Sequence, residues 1–290
     1  MTVTRRRLLE TLGTTGAMLV STGCLDSSAG ATNDGRSATE TRTATPAPDR
    51  DRRVPMGQTV TVGDRRMTVE NPRIRKAVVT TGMAHTRVVT HAGQFVVVDV
   101  LINGAQPDVR AGNLDLWSSV DEHILSDSDP LSSLVGESAA YAFTFPARRH
   151  DRAAIVHRTD GAESGADVYW NLPAPHRERL TFEPKFTVSS FRVPKHNGQR
   201  ALELTVANEG KRDGTFRARV SLKGFSGGSI VEFPVPAGES RTYTGSPGDI
   251  LLYLENQGGG TLTVQYPADG GLTSVERTVQ LSRTATGSNT

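Results

Sequence analysis

From Val54 onward the apolar residues recur with a period of two, in short segments divided by Gly, Pro, Asn and Asp. Successive side chains of a strand point to opposite faces, whereas a helix repeats every 3.6 residues, so this pattern commits the chain to β structure. It is clearest in Phe95-Val96-Val97-Val98-Asp99-Val100-Leu101-Ile102, where Val96, Val98, Val100 and Ile102 make one unbroken apolar face and Asp99 marks the other. That strand is expected to be central. Further strands are predicted at 59–62, 65–69, 74–80, 86–90, 114–118, 141–145, 153–157 and 167–172. About nine strands in roughly 120 residues is the spacing of a sandwich.

Pro173-Ala174-Pro175 then interrupts the pattern. Proline cannot extend a ladder, and alternating prolines predict a stiff linker at residues 173–176. Beyond it, Leu202, Leu204 and Val206 alternate with Glu203 and Thr205. Phe216, Ala218, Val220 and Leu222 alternate with Arg217, Arg219 and Ser221, and Leu262, Val264 and Tyr266 with Thr261, Thr263 and Gln265. Additional strands at 186–193, 230–235, 240–244, 250–254 and 274–281 complete a second sandwich. The expected fold is therefore all-β, with β-sandwiches in tandem at residues 54–172 and 177–283, a disordered tail at 284–290, and no helix longer than a turn or two past the leader.

Thr4-Arg5-Arg6-Arg7-Leu8-Leu9 opens a basic segment with twin arginines, followed by an apolar stretch to Val20 and small residues Ser21, Thr22 and Gly23 before Cys24. This is the order of an export signal over residues 1–23. The stretch contains Glu10, Gly13 and Gly16 and has only about 13 residues, where a bilayer span needs about 20. It resembles the twin-arginine signal peptides of secreted lipoproteins, particularly those of halophilic archaea. In these a cysteine after a small residue receives a lipid and becomes the mature N-terminus. The resemblance assigns Arg5 and Arg6 to export and Cys24 to lipidation; Ser21 stands three before the cysteine, where that pattern carries Leu. Residues 24–53, rich in Thr, Ala, Ser, Asp and Arg, are too poor in large apolar residues to fold and are expected to be a disordered tether. As a flexible coil such a tether spans roughly 30 Å.

Cys24 is the single cysteine, so no disulfide and no thiolate metal site can form within one chain. Without Arg5, Arg6, Arg7 and Glu10 of the leader, the chain carries 30 basic and 30 acidic residues. No basic block remains to neutralise phosphates, which argues against nucleic-acid binding. The first sandwich has 11 basic and 14 acidic residues, the second 14 and 11, opposite signs that would favour docking only weakly because exposed charges are screened.

Val62-Gly63, the strand from Gly93 to Val100 leading to Asn103-Gly104, and Tyr141-Ala142-Phe143-Thr144-Phe145-Pro146 make residues 57–172 similar to telokin-like, immunoglobulin-fold domains of prokaryotic surface lipoproteins. Leu204-Thr205-Val206-Ala207-Asn208-Glu209-Gly210 and Phe233-Pro234-Val235-Pro236-Ala237-Gly238-Glu239 make residues 180–282 similar to the cell-adhesion-related immunoglobulin-like domain of bacteria and archaea. Both resemblances imply two immunoglobulin-like sandwiches and carry no catalytic set.

Several local patterns touch on chemistry. Gly224-Phe225-Ser226-Gly227-Gly228 fits G-x-S-x-G, which presents a nucleophile only where a strand turns into a helix. Here a second apolar strand follows, so a hairpin turn is expected, and a hydrolase using Ser226 is the weaker alternative. Met83, His85 and His91 have copper-compatible donors that a hairpin would place on facing strands, yet nothing nearby completes a coordination sphere. Asp121-Glu122-His123 with Asp127 and Asp129 lack the Gly and Glu positions of a calcium loop and are expected as a solvated loop, and the segment from Asp160 to Asp167, with Gly161 and Gly165, is expected as a loop likewise. Trp117, Tyr169 and Trp170 suit either an aromatic platform for a sugar or peptide or, as is usual for a strand tryptophan, the core.

The expectation is a non-enzymatic protein anchored by lipid to the outer face of the cell membrane. It acts as a binding or interaction module for a protein partner or small extracellular ligand, and needs no cofactor or metal. The alternative is a structural spacer or accessory subunit of an envelope complex.

Overall fold

The computed structural model describes residues 51–82, 85–107, 114–125, 130–137, 140–158, 167–196, 198–225 and 227–281. The expected leader with Arg5 and Arg6, Cys24, most of the expected tether and the expected tail at 284–290 lie outside these. The protein is all-β, as its alternation dictates, with short helices only at two places among the described residues.

The first half comprises β1 (Asp51–Pro55), β2 (Val60–Val62), β3 (Arg65–Thr81), β4 (Thr86–Ile102), β5 (Leu116–Val120), β6 (His123–Leu125), β7 (Ala140–Phe145), β8 (Ala153–His157) and β9 (Asp167–Asn171). They form two sheets, β1-β9-β8-β5-β6 and β2-β3-β4-β7. Between these lies a core containing Val96, Val98, Val100, Phe145, Ile155 and Trp170. The indole Nε1 of Trp170 donates to the Gln58 carbonyl at 2.9 Å, so the largest core side chain leaves no polar atom unpaired. The register inferred for β4 holds. Its other face is also dry where Phe95 and Val97 pass under Leu131 and Leu134, and Asp99 on that face pairs with Arg73 at 2.7 Å.

The second half comprises α1 (Ala174–Leu180), β10 (Phe186–Arg192), β11 (Lys195–His196), β12 (Gln199–Arg200), β13 (Leu202–Asn208), β14 (Gly214–Leu222), β15 (Ser229–Val235), β16 (Ser240–Gly245), α2 (Ile250–Asn256), β17 (Gly259–Ala268) and β18 (Gly271–Gln280). Sheets β10-β13-β16 and β15-β14-β17-β18 enclose the second core. Leu202, Leu204, Val206, Phe216, Val220, Leu262 and Val264, each on the alternating face, are its centre. Burying one such side chain is worth about 1.5–3 kcal/mol.

Three expectations are corrected. Residues 250–254 are helical, not extended: Ile250, Leu251 and Leu254 are buried while Leu252 and Tyr253 face out. A short continuous apolar run has no period of its own and fits either state. Pro173-Ala174-Pro175 is not a stiff extended linker but the start of α1. Proline in the first turn sacrifices no intrahelical bond and presets φ. Residues 51–53, assigned to the tether, begin β1, which pairs in parallel with β9. A single apolar residue, Val54, leaves such a strand without a legible pattern.

All described residues belong to one compact unit, and β3 and β4 tie its two cores together. Both strands run 17 residues, because the segments expected separately at 65–69 and 74–80, and at 86–90 and 95–102, are continuous. The ribbon bends where β4 carries His91, Ala92, Gly93 and Gln94 against Lys76 alone in β3. A side chain on Gly93 would strike the Phe145 carbonyl oxygen, so the bend requires glycine. Beyond it Ala77, Val79 and Val88 pack against Ile230 of β15. Arg217, on the face of β14 expected to be wet, is buried there. It pairs with Glu232 at 2.7 Å and donates to the Ala77 carbonyl at 3.4 Å.

Candidate functional site

Within the described residues the nominated groups do not converge. The connection bearing the G-x-S-x-G pattern joins antiparallel β14 to β15. Gly224 takes φ +84° there, a hairpin feature rather than a strand-to-helix elbow; Ser226 itself lies outside the described residues. His85 and His91 do not lie on facing strands. His85 immediately precedes β4 and His91 is on it, a separation of roughly 20 Å at ~3.3 Å per residue. His91 Nδ1 accepts the Gly93 N–H at 3.1 Å, and Met83 lies outside the described residues.

Asp121 sits in the β5–β6 turn, where its carboxylate accepts the backbone N–H groups of Asp151 at 3.1 Å and Arg152 at 3.2 Å. The Arg152 amide first, and then His150, hold this carboxyl below the usual range. Glu122 pairs with Arg152. These groups are committed to backbone and guanidinium partners; Asp127, Asp129 and residues 159–166 lie outside the described residues. No group of three or more His, Cys, Asp or Glu among the described residues is placed to hold a metal ion.

The aromatic trio divides. Trp170 is core, whereas Tyr169 and Trp117 flank Val156 in one cross-strand row on the outer face of their sheet. The Arg53 guanidinium lies 4.5 Å from the Tyr169 ring centre and that of Arg158 lies 6.0 Å from Trp117. With Tyr169 only 6% exposed, the row is closer to a capped patch than to an open platform.

An open site does form at the junction of the two cores, around a residue the sequence did not single out. Phe182, in the connector between α1 and β10, is 46% exposed. It lines two hollows, of about 610 Å³ and about 450 Å³, which share Thr181. The larger is walled by Ala92 of the β4 bend, Glu183 and Lys185 of the connector, Lys211 of the β13–β14 loop and Asp269 of the β17–β18 turn. The smaller is walled by Arg149, Asp151, Arg177 and Glu178.

The connector is held from both sides. Lys76, whose side chain is 3% exposed, reaches from the bend to Glu183 Oε2 at 2.6 Å and to the Gly93 carbonyl at 3.4 Å. Fully buried Gln94 donates through Nε2 to the Leu180 carbonyl at 2.9 Å, with Arg179 and Phe182 carbonyls at 3.3 and 3.4 Å. Arg212 also donates to the Arg179 carbonyl. These donors satisfy the last carbonyls of α1, which have no partner within the helix. Burial first, and the neighbouring Arg179 charge next, push the Arg212 guanidinium down to about 10. Across the hollow Lys185 pairs with Asp269 at 3.0 Å, and Lys211 Nζ lies 5.9 Å from the centre of the Phe182 ring. A lone apolar residue in a loop carries no periodicity, and its groove is built from positions far apart in sequence, so nothing in the residue pattern announced it.

Acid sensitivity follows from groups around this frame. Burial, then Arg179, hold His176 of α1 below its ordinary value of 6.5 despite a hydrogen bond to the Pro72 carbonyl. Burial raises the Asp99 carboxyl, but hydrogen bonds from Arg73 and Asn71 and the Arg73 charge outweigh it and leave it below 3.8. In each case the unfolded chain binds the proton more readily, so stability falls with falling pH. The urea midpoint is expected to be flat near pH 7, to decline below about 6.5 as the unfolded His176 protonates, and to drop again below about 4. His176→Gln removes the first decline; a midpoint that rises from pH 7 to 5 contradicts the assignment.

No protein-family profile matches this chain, and no curated protein matches it significantly.

Proposed function

We propose that this chain is a non-enzymatic, lipid-anchored protein of the outer cell surface, exported by its twin-arginine leader and used as a binding module. Its two cores are read as immunoglobulin-like sandwiches, telokin-like in the first half and cell-adhesion-related in the second. The observation that carries the binding reading is the groove at the junction of the cores. A half-exposed aromatic ring stands there between two hollows of ligand size, on a connector locked by Lys76 and Gln94. The leader and Cys24 support the anchored half, and a tether over residues 24–50 would hold the groove clear of the membrane.

The bridging contacts of Lys76 and Arg217 also support a second reading, a stiff spacer or accessory subunit in an envelope complex. Mass analysis of the native protein is expected to show residues 1–23 removed and a lipid on Cys24, and Cys24→Ser is expected to move it from the membrane to the soluble fraction. An unmodified peptide running intact through Cys24 would defeat the anchored half.

A further inference from the structure

Resting on the binding reading above, we infer that the groove around Phe182 takes an uncharged oligosaccharide, one sugar ring stacked on Phe182 and its neighbours lying in the flanking hollows. Three features of the site select this chemistry. The first is charge balance. In the larger hollow Lys185 and Lys211 face Glu209 and Asp269, the third carboxylate of its wall, Glu183, being neutralised by Lys76 behind it, and in the smaller Arg149 and Arg177 face Asp151 and Glu178. Neither hollow offers the excess of one sign that would select an ion.

The second is that ammonium and guanidinium groups only donate hydrogen bonds and carboxylates only accept them. A sugar hydroxyl does both, so a row of hydroxyls can satisfy such a mixed wall without leaving a charge unpaired. The third is the ring itself. Phe182 is 46% exposed, and Lys211 lies over it from the second core. The carbonyls of Leu180, at the end of α1, and of Phe182 itself accept from Gln94, so the ring is presented on a fixed base. The apolar face of a sugar ring matches a flat exposed aromatic surface, which would otherwise remain in water. A peptide is less well served. Strand addition needs a row of unpaired backbone groups, whereas apart from Ala92 the groove is walled by loops, turns and α1.

The test is calorimetric titration of the full chain in detergent micelles with uncharged hexasaccharides of glucose, mannose and N-acetylglucosamine, and in parallel with uncharged hexapeptides bearing one Leu or Phe. At least one hexasaccharide is expected to bind saturably. Phe182→Ala should weaken it about tenfold or more without moving the thermal midpoint, because the ring is half outside the core, and Phe182→Trp should retain or tighten binding. No hexasaccharide binding, or binding indifferent to Phe182→Ala, overturns the inference. Peptide binding that depends on Phe182 would overturn the sugar assignment and leave the binding reading standing. Neither class binding would count against both.

Discussion

Replacing Glu183 by Ala is expected to lower the stability of the chain by about 3 kcal/mol in urea unfolding, and replacing Lys76 by Met in the same chain should restore most of it. The ammonium of Lys76 is almost wholly out of water, and Glu183 Oε2, 2.6 Å away, is its charge partner. Removing the carboxylate leaves a buried cation with only the Gly93 carbonyl at 3.4 Å. Removing one member of a buried pair costs about 3 to 5 kcal/mol, whereas an apolar replacement of both is often neutral. The lower end applies because the Glu183 side chain keeps 17% exposure. A loss under about 1 kcal/mol would mean that the two cores separate enough to rehydrate Lys76, and that the frame of the Phe182 groove is loose.

Asn208→Ala is expected to cost ~3 kcal/mol, or roughly 8 °C in thermal midpoint for a domain of this size. Asn208 is 1% exposed at the end of β13. Its Oδ1 accepts the amides of Lys185 at 3.0 Å and Gly210 at 3.1 Å. Its Nδ2 donates to the carbonyls of Arg212 at 2.8 Å and Val235 at 3.0 Å. One side-chain amide thus uses its full capacity to join the connector just before β10, the β13–β14 loop and the end of β15. Alanine strands four backbone groups, and no neighbouring side chain replaces them. Asn208→Asp should fail as well, because a carboxylate cannot donate to the two carbonyls. A change within 1 kcal/mol for Asn208→Ala would show that water enters and takes over the four bonds.

Much of this architecture follows from local rules. In β13, β14 and β17 every residue placed on the dry face, from Leu202 to Tyr266, is buried. Side chains alternate across a strand whatever surrounds it, so a wet and a dry face are written directly into the residue order. The turn at Gly224 is legible for the same reason, since positive φ is a property of one residue and its neighbours.

What the sequence by itself determined is the all-β class, most of the strand positions and the inward faces of β4, β13, β14 and β17. Tertiary structure alone decided the helical state of residues 250–256, the burial of Arg217 on an outward face, and the union of segments 65–81 and 86–102 into a ribbon that serves both cores. It also decided that Phe182, Lys211 and Arg149 meet around one groove. The physical reason is range. Strand alternation is enforced by backbone geometry within a few residues, whereas a groove or a buried ion pair such as Lys76–Glu183 exists only once segments over a hundred positions apart are brought into contact.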